Sequence, residues 1–258
     1  MWFPYLFFAG NDIDYKVSIA ADAVTKPGHY TNCAKATHHL QPRLSKHYGT
    51  ADVTARQLHA NNSLNLSVLA PTASQHGGEQ TCCSSELHCA RTDSRRLGPR
   101  DIYGVVGASC VHGVAVRKSF MDLHSPENFS YYLIMLWLVL LAAGGRVRDV
   151  YIDFGCRLGI TWARFIEHKR LTSPPGYSVP PYMSAVRIIV NWLHAQGHNP
   201  GCQLRHSGRH TEGAAWRVGE HAEQLWSLLK VRKARVTRTP SVPVKISICQ
   251  SLCKYICE

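Results

Sequence analysis

The sequence predicts an α/β domain built on a mixed sheet, and three stretches carry that prediction. "YGVVGASCV" (Tyr103–Val111) is a β-type run, and "HG" can turn it back into "VAVRKSFMDL" (Val114–Leu123). "SPEN" holds the start signals of a helix that carries the apolar run ending at Ala143. "VRDVYIDFG" (Val147–Gly155) alternates apolar residues at Val150, Ile152 and Phe154, the pattern of a further strand.

Taken in order, the elements are as follows. Residues 1–97 show no sustained period of 2 or 3.6 and read as irregular and poorly ordered. The organised core is expected over 98–230. It opens with the two strands above. The apolar helix then ends at Gly144-Gly145, and Arg146 and Arg148 suit its C-terminus. After the strand at Val147–Gly155 come a helical segment near 160–169 and a Pro-rich loop at Thr172–Pro181. "MSAVRIIVNWLHAQGH" (Met183–His198) is expected as one helix closed by Asn199-Pro200, and "GEHAEQLWSLLKVRKA" as another entered after Gly219. Residues 231–258 read as a basic, irregular tail.

Composition narrows the function classes. The chain has 258 residues, 45% hydrophobic and 18% charged, with a net charge of +12. That is enough for a sizeable core, and the positive field favours polyanions, nucleic acid above all. Lys230, Arg232, Lys233, Arg235 and Arg238 concentrate charge after the last helix and are the expected DNA contacts. The ten cysteines are scattered, which suits thiols or metal ligands in a reducing compartment better than a disulfide framework. "YYLIMLWLVLLAA" (Tyr131–Ala143) falls short of the roughly 20 residues of a membrane span. "MWFPYLFFAG" lacks a basic leader segment, so no membrane partner is expected.

Candidate chemistry begins with the carboxylates. Asp153 sits in an otherwise apolar strand, where a carboxylate is expensive unless it is used or caps the next turn. Asp101 lies just before the first core strand and, alone, reads as a surface turn residue. Glu220 and Glu223 share one face at a helix start, where acids also stabilise the helix dipole without any chemistry. Two aspartates and a glutamate can nonetheless hold two divalent ions about 4 Å apart for phosphodiester chemistry. Mg²⁺, or Mn²⁺, suits such hard oxygen ligands. His194 and His198 stand four apart with Cys202 just beyond; Cys110, His112 and Cys156 are further candidate ligands. Zinc and a polar core network both remain open for these six, since no pair has CxxC spacing.

Four blocks together resemble one family. "DIYGVVGASCVHG", "VYIDFGC", "NWLHAQGHNPGCQL" and "GEHAEQLWSLLK" occur in this order. They are similar to the core of the Kyakuja-Dileera-Zisupton (KDZ) transposases, DNA-transposon enzymes abundant in fungi, over about residues 98–230. The resemblance implies an RNase H-like fold, a DDE-type mechanism, Mg²⁺ or Mn²⁺ as cofactor, transposon-end DNA as partner, a homo-oligomer and a nuclear location. It implies Asp101 as the first acid, Asp153 as the second and Glu220 as the third, with Glu223 its close competitor. It also makes Cys110, His112, Cys156, His194, His198 and Cys202 motif positions, which either form a structural zinc site beside the carboxylates or simply pack there. The family's C-R-H reads "CVH" here, and its G-E-G-x-E-R reads "GEHAEQ", so Val111, His221 and Gln224 depart from it. These departures point to a truncated or decayed copy of a transposase, or to a non-catalytic DNA-binding derivative.

Overall fold

The computed structural model describes residues 16–24, the backbone of 29–30 and 100–102, and residues 103–116, 119–125, 127–214 and 219–227. Among the described residues, seven strands form two sheets: β1 (Val17–Val24), β2 (His29–Tyr30), β3 (Arg100–Ile102), β4 (Gly104–Cys110), β5 (Met121–Leu123), β6 (Val147–Tyr151) and β7 (Arg187–Ile189). Five of them make a mixed sheet in the order β5-β4-β1-β6-β7, and β2 pairs with β3 separately. β1, β6 and β7 run parallel; β4 is antiparallel to both β1 and β5.

The middle strand of that sheet comes from a stretch expected to be irregular. Residues 18–21 of β1 are all buried, so the strand lacks the alternation of a half-exposed strand. Its apolar content is carried by small residues ("SIAA"), which hides it from a hydrophobicity count. The expected return strand at Val114–Leu123 is also smaller than anticipated. Only Met121–Leu123 pairs continuously with β4, while Ala115 makes a single bridge to Ser109.

The apolar run forms α1 (Phe129–Ala143), with Asn128 as its N-cap accepting from the Ser130 N–H at 3.0 Å. Gly144 closes it at φ +60°, and Arg146 Nε donates to the Ala143 carbonyl at 3.0 Å. The helix is apolar nearly all round because one side packs on β4 and β5 and another meets α2 (Gly155–Thr172). Tyr131, Met135, Leu136 and Leu140 lie fully inside this core with Val106, Val150 and Ile152 of the sheet. No described helix is long and apolar enough to cross a membrane. α2 starts right behind Asp153 and is longer at both ends than the helix expected near 160–169.

The expected single helix at Met183–His198 does not form. The chain instead makes α3 (Tyr182–Ala185), then β7, then α4 (Trp192–Ala195). The run "VRIIV" is β-branched and pairs with β6; a short buried strand cannot be told from a buried helix turn by periodicity alone. Nor does Asn199-Pro200 end a helix. Pro200 is the first residue of α5 (Pro200–His206), and Asn199 caps it by accepting the Cys202 N–H at 2.8 Å. A 3₁₀ turn at Gly208–His210 and a helix over 221–227, here α6, follow.

This last part of the chain covers the second sheet face. Ala20, Tyr151, Ile189, Ala214 and Ala222 pack together there, and the Tyr151 hydroxyl donates to the Ala214 carbonyl at 3.2 Å. Gly219 is placed against the Tyr151 ring at φ +82°, and a Cβ there would stand 2.5 Å from Tyr151 Cδ1. Close approach and left-handed backbone both require glycine at the entry to α6.

Candidate functional site

Three adjacent parallel strands discharge polar residues at their carboxyl ends. β1 carries Asp22 near its end, β6 is followed by Asp153, and β7 by Asn191. Ligand sites of open α/β sheets form at this edge, where chains leave parallel strands in diverging directions. β1 and β6 are in register at Ala20↔Tyr151. Asp22 lies two residues past this pair on β1, Asp153 lies two residues past it in the turn after β6, and the Asp153 charge acts on Asp22. The start of α6 adds Glu220 and Glu223, and the segment before α1 adds Glu127.

Hydrogen bonds lock part of this group. Asn191 Nδ2 donates to Asp153 Oδ1 at 2.9 Å and reaches Glu220 Oε2 at 3.5 Å. The Leu193 N–H, in the first turn of α4, donates to Glu220 Oε1 at 2.9 Å. Glu220 is therefore a buried clamp that ties α6 to the β7–α4 turn. His194 stands among the carboxylates. Its Nε2 lies 3.2 Å from Asp153 Oδ2 and 3.3 Å from Glu223 Oε1, and its Nδ1 lies 3.5 Å from Glu220 Oε2. Donor atoms of Asp153, His194 and Glu223 all lie within 4.8 Å of one another.

The electrostatics record an excess of negative charge. Burial, and then the Asp153 charge, push the Asp22 carboxyl up to about 8; Glu127 and Glu223 add to the rise. Burial lifts Glu127 to about 7 against the hydrogen bond from the Tyr132 hydroxyl, with Asp153 contributing. Asp153 is raised by burial, although His194 and Asn191 oppose it. Glu223 is raised by burial and by Glu220. Burial would raise Glu220 too, but His194 and the Leu193 N–H outweigh it and hold this carboxyl low. His194 is lifted to about 9, first by its hydrogen bond to Glu220, so the imidazole is cationic at neutral pH. Asp153, Glu220 and Glu223 thus act on one imidazolium, while Asp22 and Glu127 are each raised by Asp153.

Asp149, also on β6, shows the contrast. It is fully buried, but Arg187 reaches it at 2.6 Å, Arg148 at 3.1 Å and Ser18 at 3.2 Å. That carboxylate is matched by two arginines and serves the fold. Asp153, two turns of the pleat later, meets the Asn191 amide and the His194 imidazole, with Glu220 raising it.

The residues expected from the sequence are distributed unevenly. Asp153, Glu220, Glu223 and His194 meet in one place. Asp101 lies on β3 in the two-stranded sheet, which pairs at Tyr30↔Arg100 beyond the end of β1. Cys156, His198 and Cys202 form a separate buried group. Cys110 and His112 lie at the far end of β4 and contact each other, with Cys110 Sγ 3.7 Å from His112 Nδ1. Lys230, Arg232, Lys233, Arg235 and Arg238 fall outside the described residues. Asp22, Glu127 and Asn191 were missed. The available signals were modest: a lone acid in a small-residue apolar run for Asp22, and an amide directly after "VRIIV" for Asn191.

The acid cluster lies at the carboxyl edge of the parallel strands of a mixed α/β domain, and Asp153, His194 and Glu223 are a group of donors able to hold a metal ion. A family model described as Kyakuja-Dileera-Zisupton transposase matches residues 15–242. The chain belongs to the KDZ transposase family. The match starts well before residue 98 and so takes in β1 and Asp22. Neither the curated proteins nor the solved structures contain a match to this chain.

Proposed function

We propose that this protein is a DDE-type transposase that cleaves and joins DNA strands on an RNase H-like domain in the nucleus. The observation that carries the reading is the coupling of Asp22, on β1, to Asp153, just past the end of the neighbouring parallel strand β6, with Glu223 of α6 close to Asp153. The sheet order, with one antiparallel strand inserted next to a central β1, supports the fold assignment. In this reading Asp22, rather than Asp101, is the first acid.

The donor set fits a hard cation: half-buried carboxylate oxygens, mutually repelling, with an imidazolium as their nearby counter-charge. Asp22, Asp153 and Glu223 would hold Mg²⁺ or Mn²⁺. Such an ion polarises a water or a 3′-hydroxyl for attack and offsets charge on the leaving oxygen of a phosphodiester. Glu223 is chosen because its side chain is 40% exposed and its carboxylate closes on Asp153 through His194. Glu220, 6% exposed and bonded to the main chain, positions the turn instead. Asn191 orients the Asp153 carboxylate through its 2.9 Å bond. His194 carries the positive charge that balances these acids when no cation does.

The test is nicking of duplex DNA by the full chain with and without Mg²⁺, beside Asp153→Asn and Asp22→Asn. Cleavage that needs Mg²⁺ and disappears in both variants supports the reading; Mg²⁺-dependent cleavage surviving Asp153→Asn refutes it. DNA binding that falls steeply with salt yet shows no Mg²⁺-dependent nicking, and no change with either variant, would instead identify a non-catalytic DNA-binding derivative.

A further inference from the structure

Behind the acid cluster lies a second group of donors with a different chemistry. Nδ1 of His198 is 3.6 Å from Cys156 Sγ and 3.3 Å from Cys202 Sγ. Donor atoms of the three residues all lie within 4.8 Å of one another. All three side chains are buried, with exposures of 1% for Cys156, 4% for His198 and 1% for Cys202. They arrive from separate elements: Cys156 from the first turn of α2, His198 from the turn after α4, and Cys202 from α5. The side chains around them, Val190 and Ala195, are apolar.

We infer that Cys156, His198 and Cys202 bind a thiophilic divalent ion, zinc in the first place, at a site distinct from the acid cluster. Tetrahedral zinc with its usual bond lengths to thiolate and imidazole sets neighbouring sulfur and nitrogen ligands about 3.5 Å apart. Both measured sulfur–nitrogen separations lie close to that edge length. Thiolates select zinc over magnesium, so the two sites would not compete for one ion. Three protein donors leave one tetrahedral position for a further ligand.

The site would have a mechanical consequence. Cys156 is three residues beyond Asp153, and His198 is four beyond His194. An ion held between them would pin the end of β6 and the start of α2 to the turn that carries Asn191 and His194. The binding claim is independent of DNA cleavage: an inactive protein can still hold zinc here.

The experiment is metal content of the full chain, purified under reducing conditions and dialysed against metal-free buffer, for wild type, Cys156→Ser, Cys202→Ser and Cys110→Ser. Each of the first two substitutions is expected to lower zinc by about one ion per chain and to weaken zinc binding at least tenfold. Cys110→Ser should match wild type. Should the serine variants fail to fold, cobalt loading of the wild-type chain reads the same point. A thiolate-to-cobalt charge-transfer band that zinc titrates away is expected. Zinc content equal to wild type in both Cys156→Ser and Cys202→Ser overturns the inference. So does a cobalt-loaded chain without the thiolate band, or a Cys156–Cys202 disulfide in the freshly isolated protein.

Discussion

Replacing Asp22 by asparagine is expected to stabilise the metal-free protein at neutral pH. The Asp22 carboxyl is held up to about 8 in the fold, first by burial and then by the charge of Asp153, against an ordinary value of 3.8. A carboxyl raised on folding binds its proton more tightly in the native state. The stability this confers is fully present below the ordinary value and is lost as pH rises through about 8. At pH 7 about three units of the shift have been spent, which at about 1.4 kcal/mol per unit would be about 4 kcal/mol. Asp22 is only half-buried, so solvent screening reduces this to about 2 kcal/mol. Asparagine keeps the oxygen that accepts the Ala23 N–H at 2.7 Å and cannot ionise. Asp22→Asn should therefore gain about 2 kcal/mol at pH 7, or about 4–8 °C in Tm for a domain of this size. The assay is urea unfolding in EDTA from pH 4 to pH 8. The two proteins should converge at pH 4 and separate as pH rises. Adding Mg²⁺ should stabilise wild type more than the variant, because binding to the native state adds to stability. An Asp22→Asn protein no more stable than wild type at pH 7 in EDTA would refute the view that Asp22 shares the acid cluster.

Four further outcomes are expected. Glu220→Gln loses its charge pairing with His194 and should destabilise the fold by about 1–3 kcal/mol in denaturant titrations, because the group is buried. Glu223→Gln, on a more exposed side chain, should change stability by less than about 0.5 kcal/mol yet abolish the Mg²⁺ response and strand cleavage. The reverse pattern for this pair would make Glu220 the third acid. Gly219→Ala should cost about 3 kcal/mol or more, since its Cβ would meet the Tyr151 ring at 2.5 Å on a backbone at φ +82°. Gly144→Ala, at φ +60° with no atom within 4 Å, should cost about 1 kcal/mol, and equal losses at the two positions would contradict the packing described for α6.

Parts of this were legible in the residues. Asp153 was identifiable because a carboxylate in "VYIDFG" violates the apolar pattern of its strand, and the structure places it where β6 ends. Asn128 and Gly144 marked the ends of α1 by capping chemistry that needs no tertiary information. The helix after Gly219 was expected for similar local reasons. What failed were the segments whose identity depends on neighbours. "VRIIV" becomes β7 because β6 offers it a parallel partner, and β1 is central although its residues are small. The six cysteine and histidine candidates could not be sorted by spacing, because Cys156 joins His198 and Cys202 from a distant helix while Cys110 stays with His112.

The placement of the first acid depends on the same physics. Asp101 attracts attention because it stands before a clear strand in a D-x-x-G setting, which is a local property. Asp22 has no comparable local mark. It is singled out by its place on β1, two residues past the pair Ala20↔Tyr151, and by the charge of Asp153 just past the end of β6. Register between strands separated by more than a hundred residues is a tertiary quantity, fixed by which faces the sheet buries. Its electrostatic trace is the contribution of the Asp153 charge to the rise of Asp22, second to burial. Asp22 is held up to about 8 first by burial and then by the charge of Asp153, and that second contribution, from a residue just past the neighbouring strand, is the reason to test Asp22 before Asp101.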